Sequence, residues 1–234
     1  MFVPIYDDNS LVSIRFQFVT ILLILANIAV FALTTTQVDV QVATSFALVP
    51  SELFGEGFGP NIPGEQFDTI PIAERYTLLS YMFMHGDLFH IGGNMLFLWV
   101  FGDNVEDAMG HFRFLVFYLA CGVIAGLTHS YMLPESGIPL IGASGAVAGV
   151  VAAYLVLHPK VRVWVLFLRV IPMKISASLA LGLWILMNFV MALVPEIGPV
   201  AWWAHVGGII AGAVLVIFMK RRDVPLFDGA FKNA

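Results

Sequence analysis

The sequence predicts an all-α membrane protein, a bundle of six transmembrane helices with both termini in the cytoplasm. Three observations predict it. Of the 234 residues, 59% are hydrophobic and only 12% charged, and the mean hydropathy is +0.90, which belongs to a polytopic membrane protein and not to a soluble domain. Six apolar windows, five of them uncharged, are each long enough to cross a hydrocarbon core of about 30 Å. Of the 11 lysines and arginines, only Arg75 falls on a segment that a cytoplasmic amino terminus would place outside, so the positive-inside rule orients the chain.

The windows run from Phe16 to Val38, Tyr76 to Gly102, Phe114 to Pro134, Ser136 to Pro159, Ile175 to Pro195 and Ile197 to Met219. The helices should be shorter, above all the second, where Gly86 and Asp87 make the outer part a loop. Residues 1–15 form a cytoplasmic segment, 16–219 a single six-span domain and 220–234 a cytoplasmic tail. Asp7 and Asp8 near the amino end, together with the length of the first window, argue for a permanent anchor and not a cleaved signal peptide. The outer loop, about 37–75, is acidic and broken by Gly and Pro, yet carries Phe46, Leu48, Leu53, Phe54, Phe58 and Phe67. So apolar a loop should lie against the membrane or the bundle. Val161 to Pro172, interrupted by Arg162 and Arg169, reads as an interfacial inner loop, with a buried strand as the alternative. Asp103, Glu106 and Asp107 form an inner acidic turn suited to capping or salt bridging. Cys121, the one cysteine, lies in an apolar run and reads as core.

Polar side chains at membrane depth are costly to bury and mark function. The chain is organised around Gly142-Ala143-Ser144-Gly145. Pro139 and Gly142 oppose helix upstream, so a helix should start at about residue 142 with Ser144 in its first turn. First-turn N–H groups lack intrahelical partners, and the helix dipole is positive there, so developing negative charge beside Ser144 would be stabilised. Gly145 and Gly149 share one face with the i, i+4 spacing of close helix packing, and Gly208 and Gly212 repeat it just after His205. The second window contributes His85, His90 and Asn94, the last two on one helix face. At 1.5 Å per residue, Ser144, His205 and His90 lie about 24, 22 and 20 Å from the inner ends of their helices. They therefore share a level on the outer side, below the surface.

That constellation permits serine acyl transfer. His205 would take the Ser144 proton as the hydroxyl attacks a carbonyl and return it to the leaving amine. The Ser144 backbone N–H, His90 and Asn94 are the plausible oxyanion donors. No acidic residue stands at this depth on the fourth or sixth window, which predicts a Ser–His dyad with His205 oriented by packing or backbone. His85 lies toward the entrance, where it would meet water or substrate. His111, His129 and His158 sit near segment ends, where an amphipathic ring is comfortable. Trp202 and Trp203 read as an outer interfacial belt. No His-Glu-x-x-His and no pair of aspartates at depth occurs, so zinc and aspartyl proteolysis are excluded; no metal or other cofactor is expected. Nucleic acid is not an expected partner; membrane lipids are.

On these residues the chain resembles the rhomboid intramembrane serine proteases, from about Phe16 to Met219. The likeness rests on Gly-Ala-Ser-Gly at 142–145, on His85, His90 and Asn94, and on Ala204-His205 followed by Gly208 and Gly212. Gly102 with Glu106, and Arg113-Phe114-Leu115 with Tyr118-Leu119, are similar to the family's connection between its second and third spans. The resemblance implies a rhomboid-like six-span bundle in a bacterial inner membrane. It implies that Ser144 is the nucleophile, His205 its base, and His90 and Asn94 the oxyanion hole, acting on single-span proteins cut near their outer membrane boundary. In some bacterial members an aromatic residue four positions after the serine stacks on the histidine. Here that position is Ala148, so His205 must be held another way. The alternative is an inactive rhomboid-like protein that binds transmembrane clients; the intact serine and histidines argue against it. A small transporter, from another class, would show paired halves and broken helices, which the sequence lacks.

Overall fold

The computed structural model describes residues 2–36, 44–54, 72–167, 170–194 and 200–229. Six long helices dominate it: α1 (Phe18–Thr36), α2 (Leu88–Met109), α3 (His111–Met132), α4 (Ser144–Leu157), α5 (Ala177–Ala192) and α6 (Trp202–Met219). Each of the six predicted windows overlaps one of them, although α2 runs past its window to Met109 and α3 begins before its own at His111. Three of these, α1, α3 and α6, are long and apolar enough to cross a membrane, and α4 and α5 are shorter apolar helices.

The boundaries follow from local chemistry. The Asp87 side chain caps α2 by accepting from the N–H groups of Phe89 and His90 at 2.8 and 2.9 Å. The outer end of the second window is accordingly not one helix but short helical turns over Glu74–Phe83. Gly110, at φ +83°, ends α2 and lets α3 start at once. Gly142, at φ +118°, turns the chain into α4, which starts at Ser144, close to the predicted position.

Helix α4 is the axis of the molecule. Every residue from Gly145 to Tyr154 is buried, whereas α1, α5 and α6 turn Leu22, Leu25, Leu183, Leu186, Val214 and Phe218 outward. At 1.5 Å per residue its 14 residues span about 21 Å, short of a full hydrocarbon core. Around it the core is built from Tyr81, Phe101, Phe114, Phe117, Tyr118 and Tyr154, all essentially inaccessible.

The all-α expectation is corrected by a three-stranded antiparallel sheet in the order β1-β2-β3: β1 (Phe2–Asp7), β2 (Arg162–Phe167) and β3 (Ile171–Ser176). Phe2 pairs with Phe167, Asp7 with Val163 and Arg162 with Ser176. The segment expected to be an interfacial loop is thus mostly strand. Its β-branched residues alternate: Val163 and Val165 are buried while Arg162 and Trp164 face out. The amino-terminal strand supplies the partner that makes this pairing possible.

Two residues of the acidic turn, Glu106 and Asp107, cap as its composition suggests, while Asp103 accepts from the neighbouring Asn104 N–H. Glu106, fully buried, accepts from the N–H groups of Val19 and Thr20, from the Thr20 hydroxyl and from His111. Asp107 accepts from the N–H groups of Val12, Ser13 and Ile14. Together they pin the start of α1 to the carboxyl end of α2. In the segment expected as the outer loop, Leu48 is fully buried and pairs backbone to backbone with Leu140, so this part of it lies against the bundle. Phe58 and Phe67 lie outside the described residues.

Candidate active site

Helices α4 and α6 meet backbone to backbone. A Cβ added at Gly208 would overlap the carbonyl oxygen of Gly145, and one at Gly212 the carbonyl oxygen of Gly149. The pairs step by four residues in the same direction on both helices, so α4 and α6 run parallel and in register. A Cβ at Gly145 would stand 3.5 Å from the Ala204 carbonyl oxygen, which brings Ser144 and His205 to the same level. All four glycines singled out in the sequence thus lie at this seam. Ser144 and His205 are both partly buried; among the described residues, the Ser144 hydroxyl makes no hydrogen bond.

The third wall is the first turns of α2. The His90 ring lies against the Gly142 backbone, its Nε2 2.5 Å from where a Cβ of Gly142 would be. A side chain there would displace the ring, and the positive φ already favours glycine. Asn94, 8% exposed, donates through Nδ2 to His85 Nε2 at 3.1 Å. The Ala143 N–H reaches the same nitrogen at 3.4 Å, and the His85 and His90 ring centroids are 5.0 Å apart. His85 therefore belongs to the interior and not to the entrance: it is 6% exposed and ties α2 to the loop before Ser144. His90 directly, and Asn94 through His85, thus lie beside Gly142 and Ala143, the two residues before Ser144. The Ser144 N–H stands in the first turn of α4, where an α-helix leaves N–H groups without an intrahelical partner.

His205 is held by two residues that the sequence reading missed, both on α5. Its Nδ1 lies 2.7 Å from the Asn188 Oδ1, and Asn188 is fully buried. Trp184 stacks on the imidazole with centroids 6.2 Å apart and planes 26° off parallel, and Trp202 meets it edge-on at 5.9 Å. Trp184 packs against the cluster of Ala148, Ala152 and Ile209. The small residue at 148 thus leaves room for an aromatic ring supplied from the neighbouring helix. The signal for Asn188 was a lone amide inside a run of apolar residues at membrane depth. Of the three histidines assigned to segment ends, His129 is 8% exposed and buried in the last turn of α3.

Comparison with known proteins places the chain in a family. The Rhomboid domain model matches residues 73–222. The chain is 32% identical over 143 residues to the mouse presenilin-associated rhomboid-like protein, mitochondrial, covering 58% of this chain and 36% of that protein. It is 25% identical over 190 residues to the Arabidopsis thaliana RHOMBOID-like protein 12, mitochondrial, covering 74% and 55%, and 27% identical over 150 residues to the RHOMBOID-like protein 5 of the same plant, covering 64% and 46%. The chain therefore spans between a third and about half of the length of these relatives. The matched region holds all of α2, α3, α4, α5 and α6, and with them every residue of the site. The chain is a multi-pass membrane protein of the rhomboid family.

Proposed function

We propose that the chain is an intramembrane serine endopeptidase that cuts single-span membrane proteins near their outer membrane boundary. The observation that carries this reading is the backbone seam between α4 and α6, which brings His205 level with Ser144 at the start of α4. As substrate enters, the Ser144 hydroxyl gives its proton to His205 and attacks the peptide carbonyl. The Ser144 N–H, Asn94 and His90 receive the oxyanion, and His205 then protonates the leaving amine. Water repeats the sequence on the acyl-enzyme.

The six helices are proposed as six crossings with both termini cytoplasmic. The parallel direction of α4 and α6, and the contact of the α2 start with Gly142, support this by putting three helix starts at one level. Residues 16–219 form the peptidase domain in this reading. Placement in a bacterial inner membrane rests on the resemblance alone, since the relatives named come from mouse and Arabidopsis.

The test is a gel assay in liposomes with a single-span reporter whose outer boundary is rich in small, helix-breaking residues. Wild type should cut it, and Ser144→Ala and His205→Ala should not, while both variants keep the wild-type thermal midpoint. Cleavage by Ser144→Ala rejects the nucleophile. Labelling of Ser144 by a fluorophosphonate without cleavage points to a different substrate; neither labelling nor cleavage favours client binding without proteolysis.

A further inference from the structure

We infer that Asn188 is a positioning residue for His205, fixing which imidazole nitrogen carries the proton, so that the site works as a Ser–His–Asn array and not as a free dyad. This rests on the reading of His205 as the general base. The amide of Asn188 has no freedom to flip: its Nδ2 donates to the Trp184 carbonyl at 2.7 Å, which turns Oδ1 toward His205 Nδ1 at 2.7 Å. An amide oxygen only accepts. The hydrogen of a neutral imidazole must therefore sit on Nδ1, and the lone pair is left on Nε2, on the opposite edge of the ring, away from α5. That is the nitrogen a base needs to present to a serine hydroxyl.

The same contact serves the charged state. When the imidazole accepts the serine proton, Nδ1–H keeps its acceptor, and the oxygen end of the amide dipole faces the new positive charge. A carboxylate could do this more strongly, but a charge in the middle of an apolar helix is expensive to bury. A neutral amide orients the ring without that cost. Trp184 and Trp202 restrict the ring from two sides, so the one remaining freedom, the tautomer, is what Asn188 removes.

The experiment uses the full chain in detergent micelles, labelled with nitrogen-15 histidine, with His205→Gln to assign the His205 signals. Wild type should show His205 as the Nδ1–H tautomer. Asn188→Leu, similar in size but without an acceptor, should lose that pattern and give a mixture. In the liposome assay its kcat should fall at least about tenfold with KM unchanged, within the ~10⁴-fold that a wrong tautomer costs a serine triad. Asn188→Asp, which keeps an acceptor oxygen, should recover most of the lost rate. A wild-type His205 in the Nε2–H form overturns the inference, and that spectrum decides alone if Asn188→Leu does not fold. A folded Asn188→Leu with wild-type tautomer and kcat also overturns it. If wild type neither cuts the reporter nor takes the fluorophosphonate at Ser144, the peptidase reading fails, while the tautomer of His205 still answers for Asn188.

Discussion

Gly208→Ala tests the packing on which the whole site depends. The Cβ that alanine adds would overlap the Gly145 carbonyl oxygen. The obstacle is backbone, so no side chain can rotate away. Carbon and carbonyl oxygen come no closer than about 3.3 Å in favourable contacts, so α6 must move from α4 by an amount on the order of 1 Å. Overpacking of this kind costs about 1–3 kcal/mol, and a displacement near 1 Å between reacting groups costs about 10²-fold in rate. The expected outcome is a lower thermal midpoint in micelles together with a roughly hundredfold slower fluorophosphonate labelling of Ser144. Gly182→Ala is the control: a Cβ there meets nothing within 4 Å, and replacing a helical glycine gains about 0.5–1 kcal/mol. If Gly208→Ala keeps the wild-type midpoint and labelling rate, the backbone seam is not what holds serine and histidine together.

Three further outcomes are expected. Glu106→Ala removes the acceptor of two backbone N–H groups, the Thr20 hydroxyl and His111 in a fully buried place, and should destabilise the protein by about 3 kcal/mol, read from denaturant unfolding; an unchanged midpoint would dismiss Glu106 as the anchor of α1. His85→Phe keeps a ring but takes away the acceptor shared by Asn94 and the Ala143 N–H. It should lower kcat about 10²-fold, the usual effect of a disturbed oxyanion donor, and an unaltered kcat in the reporter assay would return His85 to a space-filling role. Burial pushes the Asp7 carboxyl up to about 6, against a hydrogen bond from Tyr154 that lowers it. The folded state thus holds a proton between pH 4 and 6 that the unfolded chain releases, so this group's contribution is full below pH 4 and is lost as pH rises through about 6. Two units correspond to about 3 kcal/mol. Asp7→Asn should flatten this slope in a pH series of thermal midpoints, and an identical slope in the variant would assign it elsewhere.

What could be read from the sequence was set by how local the governing physics is. A helix start depends on a few neighbouring residues, so Pro139 and Gly142 sufficed to place the start of α4 near Ser144. The glycine pairs around 145 and 208 announced a close approach because only a missing side chain permits one. The strand at Val161–Pro172 stood only as the alternative reading because β2 is completed by Phe2–Asp7, some 160 positions away in the chain, and a six-residue strand has no local signature against a loop. His85 was misplaced for a similar reason: its partners, Asn94 and the Ala143 N–H, come from two other parts of the chain. Asn188 was legible as an oddity in an apolar run, but its meaning depended on α5 turning that face toward His205.

The two sides of the site are held by different physics, and this explains why the polar residues fall where they do. Between α4 and α6 the contact is backbone against backbone through four glycines, a geometry with no rotamers and hence no slack. It fixes the main chain of the serine and histidine but cannot orient an imidazole, whose ring turns about its own bonds. That task passes to α5, through one amide and one indole, and Ala148 makes the space for it. On the opposite side, α2 is tied to the loop before Ser144 by hydrogen bonds at His85, which in the proposed function leaves its polar groups to serve a charge that appears only during reaction. Both supports come from positions a dyad description leaves out. A polar side chain in lipid is retained when it constrains a reacting group that packing alone leaves free.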